Sequence, residues 1–299
     1  YPHNKWGLWI SRLLLTIGTT LILSGIFYFF AFNWAHISPV VKLFSIQFGI
    51  VFCLLGAYFY SLQCMIGRLL LLSGSVLVGV FMAVFGQIYQ TGSDAYQLFM
   101  MWSLLILGWT VLSNFAAQWI FWLAISNIFL VLWWQEAALV STGMEFMIFT
   151  YMSILNGSFL ALREYLVIKK DYKWLGAGWI RVLLSMTTLL IMLIPIVFLI
   201  LESSSASDSV ICSAIIGLIG HGVAYYFYRY KLADMRSLAI IIFSLCIMLE
   251  TALLKMLSKP FFMLDASIFL LIGLMTLTIF SSAIIYLRKI AKDMENDHV

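Results

Sequence analysis

A cluster of polar residues interrupts an otherwise apolar sequence at Gly86-Gln87-Ile88-Tyr89-Gln90-Thr91-Gly92-Ser93-Asp94-Ala95-Tyr96. Glycines permit a tight turn, Asp94 can cap the helix that follows, and tyrosines are typical of the lipid headgroup boundary. That structural explanation does not account for Gln87 and Gln90, whose side-chain amides both donate and accept hydrogen bonds. Their position at the end of an apolar segment makes them candidate ligand-binding groups.

A second polar group, which includes Asn33, Trp34 and Lys42, is predicted to lie on the same membrane face. If the two loops converge, Lys42 and Asp94 form an ion pair shielded by tryptophan. This pair would either join two helical hairpins or form part of a small polar cavity. The candidate ligand-binding residues are Asn33, Trp34, Lys42, Gln87, Tyr89, Gln90, Asp94 and Trp102.

Two ionisable residues, His221 and Glu250, are predicted at membrane depth. An ionisable group there costs about 2.5 kcal/mol or more, so its presence suggests a functional role such as proton coupling. Their predicted depths differ by roughly 6–8 Å at 1.5 Å per residue, so direct contact requires tilt or a bridging water. The structural alternative is that glycines beside His221 admit a neighbouring helix and that protonated Glu250 hydrogen-bonds internally.

The composition places these residues in a lipid bilayer. Of 299 residues, 64% are hydrophobic and 10% are charged, and the mean hydropathy is +1.04. A water-soluble domain is thereby excluded, and nucleic-acid binding is not supported. The four cysteines are far apart and predict small buried residues rather than a disulfide framework or a zinc site.

The hydropathy pattern predicts an all-α integral membrane protein with ten transmembrane helices. The fourth and fifth segments are short and closely spaced, so a single kinked or re-entrant pair is the main alternative. The predicted segments are Leu13–Asn33, Val40–Tyr60, Leu69–Tyr89, Tyr96–Ser113, Gln118–Trp134, Ser141–Leu162, Val182–Leu201, Val210–Tyr228, Leu238–Met256 and Ser267–Leu287.

The basic residues predict that both termini lie on the cytoplasmic side. With that orientation, 14 of the 17 lysines and arginines are cytoplasmic, and only Lys42, Lys255 and Lys259 fall outside. The long polar connection from Arg163 to Arg181 then faces the cytoplasm, either as a stop-transfer loop or as a site for anionic lipids. The chain divides into two five-helix regions, residues 1–134 and 135–299, which are compatible with inverted halves.

Common catalytic motifs are missing from the sequence. We find no Walker A loop, no Gly-x-Ser-x-Gly elbow and no His-Glu-x-x-His, so we expect neither enzymatic activity nor a cofactor. An enzyme acting on a lipid-linked substrate is the least favoured hypothesis.

The first five predicted helices, roughly Leu13 to Trp134, resemble a bacterial family of predicted membrane proteins with Asn-Trp and Gly-Gln-Ile-Tyr-Gln signatures. That resemblance implies a bacterial inner-membrane location and no established activity. The residues that carry it are Phe32-Asn33-Trp34, Ile37, Lys42, Gly86-Gln87-Ile88-Tyr89-Gln90-Thr91-Gly92, Asp94, Tyr96-Gln97-Leu98-Phe99 and Trp102.

Two functions are compatible with this sequence. The first is transport or binding of a small solute or membrane lipid, with His221 and Glu250 as coupling residues and the outer polar residues as an access site. The alternative is a non-catalytic scaffold or assembly subunit whose aromatic residues pack against a partner membrane protein or a second copy of the chain.

Overall fold

The computed structural model describes residues 34–90, 92–139, 144–170, 172–202, 206–258 and 266–296, together with eleven positions between 6 and 28. Those eleven positions are all helical, but most of the predicted first segment, Leu13–Asn33, lies outside the described residues. Throughout the described part of the chain the regular secondary structure is helical, with no strand. The predicted all-α class is therefore confirmed.

Nine α-helices, together with short 3₁₀ and π segments, make up the described ranges from residue 34 onward. Most helices are joined by short connections; the three residues between α3 and α4 form the tightest turn. The helices are α1 (Pro39–Tyr60), α2 (Met65–Tyr89), α3 (Ala95–Leu112), α4 (Ala116–Trp133), α5 (Met147–Lys170), α6 (Gly178–Leu201), α7 (Asp208–Tyr226), α8 (Met235–Ser258) and α9 (Ala266–Asn296).

Eight of these helices are long and apolar enough to cross a membrane, with α5 as the exception. Helices α3 and α4 are separate helices, and each is a candidate span, at the place where the sequence left a single kinked or re-entrant pair open. Helix α5 has 24 residues, which gives about 36 Å at 1.5 Å per residue, but its C-terminal third carries four charges. The structure thus supports a multi-span membrane protein.

Two helices, α5 and α9, continue well beyond their predicted ends at Leu162 and Leu287. The sequence predicts a helix over Ser141–Leu162 followed by a polar loop, whereas the observed helix continues to Lys170. The charged pair that suggested the loop, Arg163 and Glu164, lies inside the protein and is neutralised there. Hydropathy treats every charge as exposed, so it ended the helix too early.

Two glycines allow neighbouring helices to approach each other closely. A Cβ atom at Gly217 of α7 would lie 2.6 Å from the backbone oxygen of Met192 on α6. A Cβ at Gly79 of α2 would collide with the indole of Trp102 on α3, which donates to the Ser75 carbonyl at 2.8 Å. Small residues at such contacts are typical of membrane helix packing.

Side-chain amides join neighbouring helices, and one such pair connects the first half of the described chain to the second. The side chains of Asn127 on α4 and Asn156 on α5 exchange two hydrogen bonds, at 2.7 and 3.2 Å. Buried Gln118 at the start of α4 donates to the hydroxyls of Ser75 and Thr110. Because water is absent from the hydrocarbon, polar groups there need partners within the protein, and the Gln118 amide nitrogen has two while its buried oxygen has none among the described residues.

Candidate functional site

Glu164 forms the centre of a buried set of charges where α5, α6 and α7 meet. Its Oε1 atom accepts hydrogen bonds from Arg163 Nη1 at 2.6 Å, Arg181 Nε at 3.1 Å and the Tyr228 hydroxyl at 3.2 Å. The side chains of Arg163 and Glu164 are 1% and 4% exposed. A carboxylate buried to this degree requires such partners, because an unpaired charge would be costly.

The two guanidinium groups have further acceptors. Arg163 Nε and Nη2 donate to the Leu175 carbonyl oxygen at 3.1 and 2.8 Å, which fixes the connection between α5 and α6. Arg181 Nη1 donates to Asp234 Oδ1 at 3.0 Å, just before α8. Two positive and two negative side chains therefore balance. We call Arg163, Glu164, Arg181, Asp234 and Tyr228 the charged cluster.

Asp234 connects the charged cluster to the beginning of α8. Its Oδ2 atom accepts from the Ser237 backbone N–H at 3.0 Å and from the Ser237 hydroxyl at 2.7 Å. Burial raises the pKa of Asp234, but the hydrogen bonds from Ser237 and the Arg181 guanidinium outweigh burial and hold that pKa below its usual range. Asp234 is therefore a carboxylate at neutral pH.

A groove of about 660 Å³ runs between α5, α6 and α7 and ends at the charged cluster. Most of its wall is apolar, and small residues of α5 leave the space open. Three polar side chains, Glu164, Ser185 and Tyr228, lie at one end. The Ser185 hydroxyl donates to the Tyr228 oxygen at 3.3 Å. The apolar wall includes Ile154, Leu160, Leu189, Ile216, Ile219 and Val223.

Lys169 lies at the same end of the groove, in the last turn of α5. Its ammonium group is 6.0 Å from the ring centroid of Tyr165, one turn earlier, and both side chains are exposed. The ion pairs between described residues involve Arg163, Arg181 and Arg229 as cations, but not Lys169. The groove therefore combines an apolar length with one solvent-facing positive charge.

The predicted outer ligand-binding residues are only partly brought together. The Lys42 ammonium lies 4.8 Å from the Trp34 ring centroid, whereas Asn33 is outside the described residues. Lys42 and Asp94, both described, form no ion pair with each other. Trp102 packs between α2 and α3 instead of facing the loops.

The residues at the turn from α2 to α3 face outward. Gln87, Tyr89 and Gln90 are exposed, and Gln90 ends α2 in the left-handed conformation with φ 44°. Exposed Asp94 occupies the cap position of α3 without a side-chain capping bond. The first turn of α3 instead donates the Tyr96 backbone N–H to Glu136 Oε2 at 3.4 Å.

His221 and Glu250 each have a separate partner. Gly217 O lies 2.8 Å from His221 Nδ1, and Ser244 Oγ lies 2.7 Å from Nε2. Because a carbonyl only accepts, Nδ1 donates, and a neutral ring then accepts the Ser244 hydroxyl proton at Nε2. Glu250 accepts a short hydrogen bond from Thr276 on α9. Neither side chain lines the groove.

Sequence reasoning missed Glu164, Tyr228 and Asp234 as site residues. It assigned Arg163 and Arg181 to a cytoplasmic loop and gave their acidic neighbours no role. One feature of the sequence could have indicated their role. The apolar run Leu166-Val167-Ile168 follows Arg163-Glu164 and predicts that the helix continues past these charges. A charged pair inside a continuing helix indicates partners on other helices.

Comparison with known proteins connects the first part of the chain to one family. Residues 3–119 match the family described as Predicted membrane protein (DUF2157). This is a membrane family of unknown function, and the match includes α1, α2, α3 and the polar turn after α2. The groove and the charged cluster lie beyond the matched residues. No curated protein and no solved structure matches the chain.

Proposed function

We propose that this membrane protein binds an amphiphilic small molecule, a membrane lipid, in the groove between α5, α6 and α7. One observation carries the proposal. The groove has an apolar wall along most of its length and a polar end at Glu164, Ser185 and Tyr228. A volume of about 660 Å³ lies within the roughly 300–1,000 Å³ of typical small-molecule sites.

The polar end is the part of the groove that gives selectivity. An acyl chain gains little by moving from the bilayer into an apolar groove, because both surroundings are hydrocarbon. A lipid is retained there only if its polar portion meets groups that the bilayer does not offer. The exposed ammonium of Lys169 is such a group, whereas the hydroxyl protons of Ser185 and Tyr228 are already donated to Tyr228 and Glu164.

Photocrosslinking tests this proposal. The purified protein in nanodiscs is exposed to a phospholipid with a diazirine near the end of its acyl chain, and labelled peptides are identified by mass spectrometry. We expect labelling of α5, α6 and α7 above that of α1 and α9. Labelling of equal strength on all helices would indicate only surrounding bilayer lipid and would overturn the proposal.

Filling the groove provides a second readout with a matched control. Gly157 lines the groove, and a Cβ there meets only ordinary contacts, with Met192 at 3.7 Å. Gly157→Phe should abolish the excess labelling. Gly222 does not line the groove, and a Cβ at that position would have nothing within 4 Å, so Gly222→Phe should leave labelling unchanged.

We also propose a topology with ten spans and both termini in the cytoplasm of a bacterial inner membrane. Under this orientation, the end of α5, the start of α6 and the end of α7 face the cytoplasm, which places the charged cluster at that membrane boundary. Charged groups at a boundary cost less than charges at the bilayer centre. The distribution of basic residues supports this orientation.

Transport remains part of the proposal through the two intramembrane ionisable residues. His221 and Glu250 are the coupling residues of this hypothesis. Its access site is formed by Asn33, Lys42, Gln87, Tyr89, Gln90 and Asp94. Because His221 bonds to Ser244 on α8 and Glu250 to Thr276 on α9, proton movement between them would require either bridging water or a change of these partners.

The scaffold hypothesis is favoured by one feature, the outer face of α9. Leu270, Leu277 and Ile285 on this helix are each about two-thirds exposed. Acyl chains of the bilayer would also cover that face. The hypothesis that a second copy of the chain packs against α9 is tested by mass. The mass of the purified native particle is compared with that of a Leu277→Glu variant.

A further inference from the structure

We infer that the lipid taken by the groove is an anionic phospholipid whose phosphate lies against Lys169. This inference rests on the proposed function and specifies the ligand class of the same site. At the polar end of the groove, the charges of Arg163, Glu164, Arg181 and Asp234 neutralise one another, and the positive charge of Lys169 remains.

The carboxylates of Glu164 and Asp234, near the groove, are already paired with arginine. Glu164 is held by Arg163 and Arg181, and Asp234 by Arg181, at distances of 2.6 to 3.1 Å. These four side chains sum to zero charge. A cationic headgroup would therefore find no free carboxylate in the groove, since Glu164 is its one acidic lining residue.

Lys169 supplies the remaining positive charge. It lines the polar end of the groove from the last turn of α5, and its ammonium lies 6.0 Å from the Tyr165 ring centroid. An ammonium placed there meets a lipid phosphate while the acyl chain extends along Leu160 and Ile154 toward the middle of α5. The geometry matches the lengthwise order of a phospholipid, charge outside and hydrocarbon inside.

The surrounding connections strengthen the positive potential. Residues 163–181 and 229–236 together contain eight basic and three acidic side chains. Basic residues beside a membrane attract anionic lipids, and one such residue corresponds to about a fivefold preference over a neutral lipid. A zwitterionic headgroup gains less from this potential because its own cation opposes it.

The test compares phosphatidylglycerol with phosphatidylcholine, each carrying the same photoreactive acyl chain, in nanodiscs of unlabelled phosphatidylcholine. For the native sequence we expect about fivefold stronger labelling of groove peptides by the anionic lipid. Lys169→Gln should lower the ratio to the smaller preference that the remaining basic residues give, and Lys169→Arg should preserve it. Lys170 is the matched control, since it is adjacent and exposed but does not line the groove.

The outcomes separate this inference from the proposed function. Equal labelling of the groove by both lipids would overturn the anionic preference and leave lipid binding intact. An equal drop for Lys169→Gln and Lys170→Gln would also overturn it, because general surface charge would then explain the preference. Labelling of the groove no stronger than that of α1 would overturn the proposed function itself.

Discussion

Arg181 at the start of α6 reaches Glu164 near the end of α5, with 3.1 Å between Nε and Oε1. Their side chains are 17% and 4% exposed, so the contact lies largely inside the protein. The same guanidinium reaches Asp234 before α8. One arginine therefore holds together three elements around the polar end of the groove.

Removing the central carboxylate should destabilise the protein strongly. Glu164→Gln leaves two buried guanidinium groups with one fewer counter-charge, and breaking a buried pair in this way costs about 3–5 kcal/mol. Unfolding in detergent, followed by circular dichroism, measures the change. Glu145→Gln alters an exposed carboxylate and should change stability by less than about 1 kcal/mol. Equal effects of the two variants would contradict the importance of the charged cluster.

Stability should fall at acid pH because of Asp234. The folded-state pKa of this carboxyl is lowered, so its contribution is present above the unfolded-state pKa, about 3.9, and is lost as pH falls through the folded value. Asp234→Asn should be less stable at neutral pH and should flatten the acid side of the stability curve. Parallel curves for the two proteins from pH 7 to pH 2 would show that Asp234 makes no such contribution.

The close approach of α6 and α7 depends on Gly217. In Gly217→Ala the new Cβ would lie 2.6 Å from the Met192 backbone oxygen, so the helices must separate, at a cost of about 1–3 kcal/mol. Gly222→Ala on the same helix meets nothing within 4 Å and should be neutral or slightly stabilising. Thermal unfolding of both variants in one detergent makes the comparison. Similar melting temperatures would show that the contact is not tight.

Reporter fusions test the proposed orientation. Fusions after Lys173 and Arg236 should report a cytoplasmic position, because these loops carry clustered basic residues. Fusions after Ser205 and Lys259, which lie outside the described residues, should report the external side. A cytoplasmic result at Ser205 would overturn the ten-span arrangement with both ends inside.

Glu250 distinguishes transport from scaffolding. Glu250→Gln keeps an oxygen that accepts from Thr276 but abolishes titration, whereas Glu250→Leu also removes the acceptor. Proton-coupled transport predicts that Gln abolishes pH-dependent flux in proteoliposomes without loss of expression. A scaffold predicts no effect of Gln and reduced folded protein only with Leu. Unchanged flux of Glu250→Gln across pH 5 to 8 would exclude coupling at this residue.

The long apolar segments of the sequence were sufficient to locate most helices. The predicted segments Val40–Tyr60 and Val182–Leu201 end at the same residues as α1 and α6. Such segments need no tertiary context, because about 20 apolar residues must span the hydrocarbon as a helix that satisfies its own backbone. The small residues beside His221 also indicated a close helix approach, which Gly217 makes with α6.

Only the tertiary structure decided what the charged residues do. Sequence alone assigns Arg163 and Arg181 to a loop facing water. The pairing of Arg181 with Glu164, 17 positions earlier, leaves no local sequence pattern. Folding brings α5, α6 and α7 together, and the buried charges then neutralise one another and leave Lys169 at the end of an apolar groove. Bilayer hydrocarbon fixes where helices lie along the chain, whereas contacts between distant side chains fix which polar groups meet.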